Sequence, residues 1–330
     1  MSAVRPPVQS SRDGAAPAVV GPLSSGPADA PLSLGNPATL PPIRKRPTAA
    51  GPARHLLTGL SVGYVVLLLG APVVAIAVRA FAEGPGAFLH ALFNSGGASA
   101  LAMSAGLALG ATVVNTVFGV IVAWVLTRDR FWGRSFLNAL VDLPFAISPV
   151  IVGFSLILLF GPHGWLGGLS RWTGIKVVFA LPGMALATVF VSLPFIVREV
   201  GLVLAEISRE QEEAAFTLGA SPLRTFFQVT LPNIRFGLLT GILLTVARCL
   251  GEFGAILVVS GGVAGMTETG TLFVFRSLED RRDLSAYAMA VTLASISILL
   301  IVALEMLKRR QHRQTGPGRG GASGARTTTS

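Results

Sequence analysis

Six long apolar runs constrain this chain more than any other feature of its sequence. Leu56–Val78, Ala98–Thr127 and Val177–Val197 carry no charged side chain, and neither does Leu143–Phe160, which follows Asp142. Phe236–Gly262 holds only Arg248 and Glu252, and Leu284–Leu304 is again free of charge. Crossing a hydrocarbon core of about 30 Å takes about 20 helical residues. In that medium every backbone N–H and C=O must be satisfied within the segment. The runs are far longer than barrel strands, so the expected element is an α-helix. The fold class that follows is an all-α membrane protein with six transmembrane helices, at about 56–80, 98–127, 138–160, 177–197, 236–260 and 284–306. Only 13% of the residues are charged, roughly half the share in a soluble domain, which agrees with a partly lipid solvent.

The formal charge of +10 invites a nucleic-acid reading until it is located. Residues 1–54 hold six Lys or Arg against two Asp, and residues 308–330 hold six against no acid. The stretch between them is neutral, and no basic patch with interleaved aromatics occurs, so nucleic acid is not an expected partner. Both ends are Pro-, Gly-, Ala- or Ser-rich and are expected to be disordered tails flanking a six-span transmembrane domain at 55–307. The first run is too long, and its polar leader too extended, for a cleaved signal peptide, so a retained anchor is expected. With the N-terminus inside, Lys and Arg number nineteen on the inner segments and six on the outer loops. That bias puts both termini and the loop 198–235 in the cytoplasm.

That loop is not written like a linker. Ser208 and Gln211 have the spacing of a capping box, and Glu210, Glu212 and Glu213 fall in the first turns, where the helix dipole favours them. Ala214 and Ala215 leave a smooth surface against which another protein can pack. Gly219 is placed to end the helix. Ser221 and Pro222 read as N-cap and first-turn proline of a second short helix, with Phe226 and Phe227 on its apolar face and Pro232 stopping it. Two short helices joined by a glycine turn make a rigid lever, which a disordered loop cannot be.

Glu213-Ala214-Ala215, then Gly219, then Val229-x-Leu231-Pro232 resembles the EAA loop of type I ATP-binding-cassette (ABC) importer permeases, with Val229 where the pattern has Ile. The resemblance implies that Glu213, Ala214, Ala215, Gly219, Val229, Leu231 and Pro232 couple the chain to a cytoplasmic ATPase. VDLPFAISPVIVG (141–153), LPFIVRE (193–199), LPNIR (231–235) and ARCLGEFGAILVVSG (247–261) narrow it further. Over roughly residues 56–307 the chain resembles the permeases of sulfate/thiosulfate importers. The DLPFAISP and PFIVRE stretches place it nearer the CysW type than the related CysT type or molybdate permeases. The family has Asn before the Ala-Arg pair of the fifth span, where this chain has Val246. What the resemblance implies is a type I permease bundle in the inner (plasma) membrane, beside a CysT-like permease subunit and over a CysA-like ATPase dimer. A periplasmic or lipid-anchored sulfate/thiosulfate-binding protein would deliver the substrate. ATP and Mg would sit on the ATPase, with no cofactor on this chain.

Arg248 and Glu252 are the only ionisable pair deep in an expected span, four residues apart and so on one helix face. Both are expected to face the bundle interior. Either Arg248, partly balanced by Glu252, lines the path or gate of a divalent anion, or the two form a self-satisfied structural pair. Asp142 reads as a capping or interfacial carboxylate, and Cys249 as a small packing residue. The four histidines lack metal-ligand spacing. No phosphate loop, H-E-x-x-H or G-x-S-x-G occurs, so no catalytic site is expected and ATP hydrolysis falls to another chain. Gly316, Gly318 and Gly321 match G-x-G-x-x-G inside a tail with no strand or helix to frame it, and are set aside. Two other functions compete: a molybdate/tungstate ABC permease, and an ion-driven secondary anion transporter.

Overall fold

The computed structural model describes residues 52–315. The two expected disordered tails lie mostly outside the described residues. Where they fall inside, the chain is helical, because α1 (Pro52–Phe81) starts before residue 55 and α13 (Asp283–Thr315) runs past residue 307. The chain divides into two compact units between Gly59 and Leu60. The described part of the first is the opening of α1.

Between those helices lie α2 (Pro85–Phe93), α3 (Gly97–Arg128), α4 (Arg134–Ala146), α5 (Pro149–Phe160), α6 (Gly167–Thr173) and α7 (Leu181–Glu206). Then come α8 (Glu210–Thr217), α9 (Pro222–Thr225), α10 (Leu231–Leu250), α11 (Gly254–Val259) and α12 (Gly270–Glu279). Among the described residues, five helices are long and apolar enough to cross a membrane: α1, α3, α7, the rod Pro222–Leu250 and α13. The bent pair α4–α5 makes a sixth if counted as one span.

The third expected span is therefore broken, with its halves 112° apart. Ile147 and Ser148 adopt extended backbone angles, and Pro149 opens α5 at its first turn. A proline has no N–H for the helical ladder and disfavours helical angles in the residue before it, so α4 cannot run straight into α5. The fifth expected span also stops early. Gly251, Glu252 and Phe253 leave the helix, and α11 restarts at Gly254. The fourth begins later and runs nine residues beyond residue 197, so the first part of the expected loop 198–235 is a continuation of α7.

The core is the three-helix contact of α3, α7 and α10. Val120, Ala123 and Leu126 of α3 meet Ile196, Val197, Val200 and Leu204 of α7 and Ile234 of α10. Glycine lets the backbones approach. A Cβ on Gly237 would lie 2.5 Å from Val203 Cγ2 and 3.1 Å from the Glu199 carbonyl oxygen. Gly241 lies under Ile196 with somewhat more room, a Cβ there being 3.2 Å from the Ile196 Cα. Gly106 and Gly110 share the same spacing but have open space around them and line an apolar groove of about 690 Å³. One small-xxx-small pair is thus a packing contact within the chain, and the other is not.

Inside that core Asn115 Nδ2 donates to the Val189 carbonyl at 3.1 Å and to Ser192 Oγ at 2.8 Å, tying α3 to α7 by polar contacts as well. A second cluster packs α11 against α7 through Ala255, Ile256 and Val259 against Met184 and Ala187. A third gathers α2, α3, α12 and α13 around Phe273 and Met289.

Candidate functional site

The segment after α7 builds a short, well-terminated helix at one end of the bundle. Its start differs from the expected capping box. Ser208 Oγ accepts the Glu210 N–H at 3.2 Å, while Gln211 turns away and accepts from Asn233 Nδ2 at 2.8 Å. The end of α8 is as expected. Gly219 has φ +84°, its N–H bonds the Phe216 carbonyl, and the Ala220 N–H bonds the Ala215 carbonyl. Those two bonds are the Schellman closure, which needs a left-handed residue where Gly219 stands.

The second helix is more than a short arm. Ser221 caps it by accepting the Arg224 N–H at 3.4 Å, with Pro222 at its first turn. From there α9 passes through a π turn (Phe226–Thr230) directly into α10. Pro232 therefore does not stop the helix, contrary to the sequence reading. It lies in the first turn after the π turn, where the Leu231 N–H bonds the Phe226 carbonyl in the wider i→i+5 ring. The lever reaches from Pro222 to the middle of the bundle as one rod.

The residues read as coupling residues divide by exposure. Glu213, Ala214 and Gly219 are exposed and Ala215 is half-buried. Leu218 is 89% exposed beside them, and Leu223 and Phe227 are exposed on the following helix. Pro232 is exposed, whereas Val229 and Leu231 are partly buried, with Leu231 against the core. The sequence pattern thus covers an outward apolar face and the packing that holds it.

The back of α8 was not legible from the sequence. Glu212 is buried and pairs with Arg128 of α3, Arg128 Nη2 to Glu212 Oε1 being 3.0 Å. Thr230 Oγ1 donates to the same carboxylate oxygen at 3.2 Å. The last carbonyls of α3 are taken by arginines, Leu126 by Arg134 Nε at 2.9 Å and Arg128 by Arg209 Nη2 at 2.6 Å. Cations at a helix C-terminus also oppose the negative end of its dipole. Near the same end Arg198 of α7 binds Asp142 of α4 through two nitrogens and Asn138 Oδ1 through a third at 3.0 Å. Asp142 is an inter-helix anchor and not a helix cap.

Arg248 and Glu252 do meet, with Arg248 Nη1 at 2.7 Å from Glu252 Oε2. Glu252, 2% exposed, has further work. Its Oε1 accepts the Ala255 N–H at 3.0 Å and so caps α11, and its carbonyl accepts Thr271 Oγ1 at 2.8 Å, linking the break to α12. The carboxylate is thus committed to structure, while Arg248 is 31% exposed. A second pair of the same build lies in α12 and the loop before it. Arg276 Nη2 sits 3.0 Å from Glu268, whose side chain is also 2% exposed. Burial pushes the Glu268 carboxyl above the ordinary carboxylate range, while the Arg276 guanidinium pulls it down. Among the described residues no group of His, Cys, Asp and Glu is arranged to hold a metal ion.

Comparison with known proteins bears on this geometry. Residues 115–313 match the family model described as binding-protein-dependent transport system inner membrane component. The chain is 45% identical over 257 residues to the sulfate transport system permease protein CysW of Synechocystis sp., covering 78% of this chain and 93% of that protein. It is 36% identical over 263 residues to the sulfate transport system permease protein CysT of Salmonella typhimurium, covering 80% and 95%. Among solved structures, a chain of a bacterial alginate ABC transporter in complex with an alginate pentasaccharide-bound periplasmic protein superposes with a TM-score of 0.64 at 17% identity. The match covers 79% of this chain and 96% of that one. That last likeness bears on the fold alone, and it is the helical permease fold.

Proposed function

The chain belongs to the family of binding-protein-dependent transport system inner membrane components, and we propose that it is the CysW-type permease subunit of an ATP-driven importer of sulfate or thiosulfate. The observation that carries the coupling role is α8, a helix closed at Gly219, exposed along Glu213, Ala214 and Leu218, and clamped from behind. A rigid element with an outward small and apolar face suits docking into a groove of a separate ATPase, which would hold the ATP and Mg. The substrate assignment rests on likeness to CysW.

In this reading the N-terminus and C-terminus lie in the cytoplasm with α8, and the complex pairs this chain with a CysT-like permease over a CysA-like ATPase dimer. A sulfate/thiosulfate-binding protein presents substrate from outside. Closure of the ATPase dimer on ATP pulls α8, the helices tilt, and the cavity turns toward the binding protein. Hydrolysis returns it inward. Arg248 is the cation on the path of the divalent anion, and Glu252 holds it in place from the buried side.

Labelled sulfate uptake in cells lacking only this gene tests the substrate, with unlabelled thiosulfate and molybdate as competitors. Loss of uptake, restored by the intact chain and competed by thiosulfate, is the expected result. Unchanged sulfate uptake in cells with no second sulfate importer would refute the sulfate assignment, and selective loss of molybdate uptake would replace it.

A further inference from the structure

We propose that Arg128, Glu212 and Thr230 form a clamp that passes movement of α8 to both α3 and α10, making Arg128 and Glu212 positioning residues for coupling ATP hydrolysis to transport. The inference rests on reading α8 as the element that docks on the ATPase.

One oxygen, Glu212 Oε1, accepts from Arg128 Nη2 at 3.0 Å and from Thr230 Oγ1 at 3.2 Å. Arg128 is the last residue of α3, and Thr230 ends the π turn that opens into α10. A single carboxylate on α8 is thus the common point of two core helices. Burial gives this contact weight. The Arg128 and Glu212 side chains are each 9% exposed, so water neither screens the pair nor replaces either partner. Glu210 and Glu213, on the same turn, are exposed.

The clamp does not act alone. Arg128 Nη1 and Nη2 also donate to the Ile207 carbonyl, at 3.3 and 3.4 Å, which fixes the chain where it enters α8. Arg209, at the N-cap of α8, reaches back to the Thr127 and Arg128 carbonyls. Gln211 and Asn233 make a second, exposed tie to α10. The entry and first turn of α8 are therefore bonded both to α3 and to α10, and among the described residues no such bond is made by Glu213 or Ala214 on its outer face. Contacts made only by apolar side chains would let α8 slide under load. Two fixed hydrogen bonds on one buried carboxylate transmit both direction and displacement. The arrangement also sits at ends where dipoles favour it, Arg128 at the C-terminus of α3 and Glu212 in the first turn of α8.

The test uses the whole complex, with its partner permease, ATPase and binding protein, in proteoliposomes. Sulfate accumulation and ATP hydrolysis are measured on the same vesicles for Arg128→Met, Glu212→Gln, Thr230→Val and the swapped pair Arg128→Glu with Glu212→Arg. The expected result is that ATPase still co-purifies and hydrolyses ATP. Sulfate moved per ATP should fall roughly tenfold in the first two, within the usual range of coupling between sites. Thr230→Val, which removes one hydrogen bond and no charge, should fall less, and the swapped pair should recover most of the ratio. Arg309→Ala, which breaks an exposed pair with Glu305 on α13, should change nothing. An unchanged ratio in Arg128→Met and Glu212→Gln overturns the clamp, whether transport and hydrolysis keep their rates or fall in proportion. Absence of ATP-dependent transport in the unaltered complex would instead strike the functional reading beneath it.

Discussion

Arg198 of α7 and Asp142 of α4 are joined by a hydrogen bond and an ion-pair contact across 56 residues of sequence, with Arg198 Nε donating to Asp142 Oδ1 at 2.9 Å. The contact ties together two stretches, DLPFAISP and PFIVRE, that the sequence presents separately. It also holds α4 against α7 just before the 112° turn into α5.

Because both partners are about two-fifths exposed, the pair itself should contribute only about 0.5–1 kcal/mol in a double-mutant cycle of Arg198→Ala and Asp142→Ala. Arg198→Lys should behave like the alanine variant, since an ammonium cannot reproduce the fork that also reaches Asn138. Thermal unfolding of the purified complex provides the reading. A coupling energy well above this range would mean that the site is drier than its exposure indicates.

Arg248 and Glu252 should behave asymmetrically. Arg248→Leu leaves a buried carboxylate with only the Ala255 N–H as a side-chain partner among the described residues, a loss on the order of 3 kcal/mol. Adding Glu252→Gln to it should restore most of that stability, because the amide oxygen still caps α11 while the charge is gone. Protein level in the membrane and melting temperature in detergent report both outcomes. Because the double variant lacks the Arg248 cation on the anion path, it should still fail to transport sulfate, and normal uptake would remove Arg248 from that path.

Gly219 at φ +84° is the simplest position to break without touching the core. Gly219→Ala should cost about 1–2 kcal/mol locally for the left-handed backbone. Gly219→Pro removes the N–H bonded to Phe216 and fixes the wrong φ, so α8 loses its end. Uptake should disappear in the proline variant with the protein still present in the membrane fraction.

Glycine substitutions on α10 and α3 should separate packed from open positions. Gly237→Ala pushes a methyl against Val203 and the Glu199 carbonyl and should destabilise by about 1–3 kcal/mol. Gly106→Ala has open space and should be close to neutral in the same unfolding assay.

What the sequence revealed and what it hid have physical reasons. The apolar runs were legible because lipid demands long uncharged helices, and Gly219 because a helix end needs a left-handed residue. The break at Ser148–Pro149 carries the same N-cap and first-turn proline signature that was recognised at Ser221–Pro222. Inside an apolar run long enough to span the membrane, that signature does not stand out. Pro232 reads as a stop in the sequence, but a π turn, which has no residue signature of its own here, accommodates it. Arg128 and Glu212 stand 84 residues apart, and their pairing depends on how α3, α7 and α10 pack. No local spacing encodes such a contact. The role of Glu252 as the cap of α11 was hidden for a related reason, because it exists only once the fifth span breaks at Gly251.

The most direct test of the account is sulfate accumulation by the reconstituted complex with the membrane potential and ion gradients collapsed. The account predicts accumulation that requires ATP, the partner ATPase and the binding protein, and that is lost in Gly219→Pro. Accumulation that persists without the ATPase, or that vanishes with the gradients while ATP is present, would contradict it and point to an ion-driven carrier.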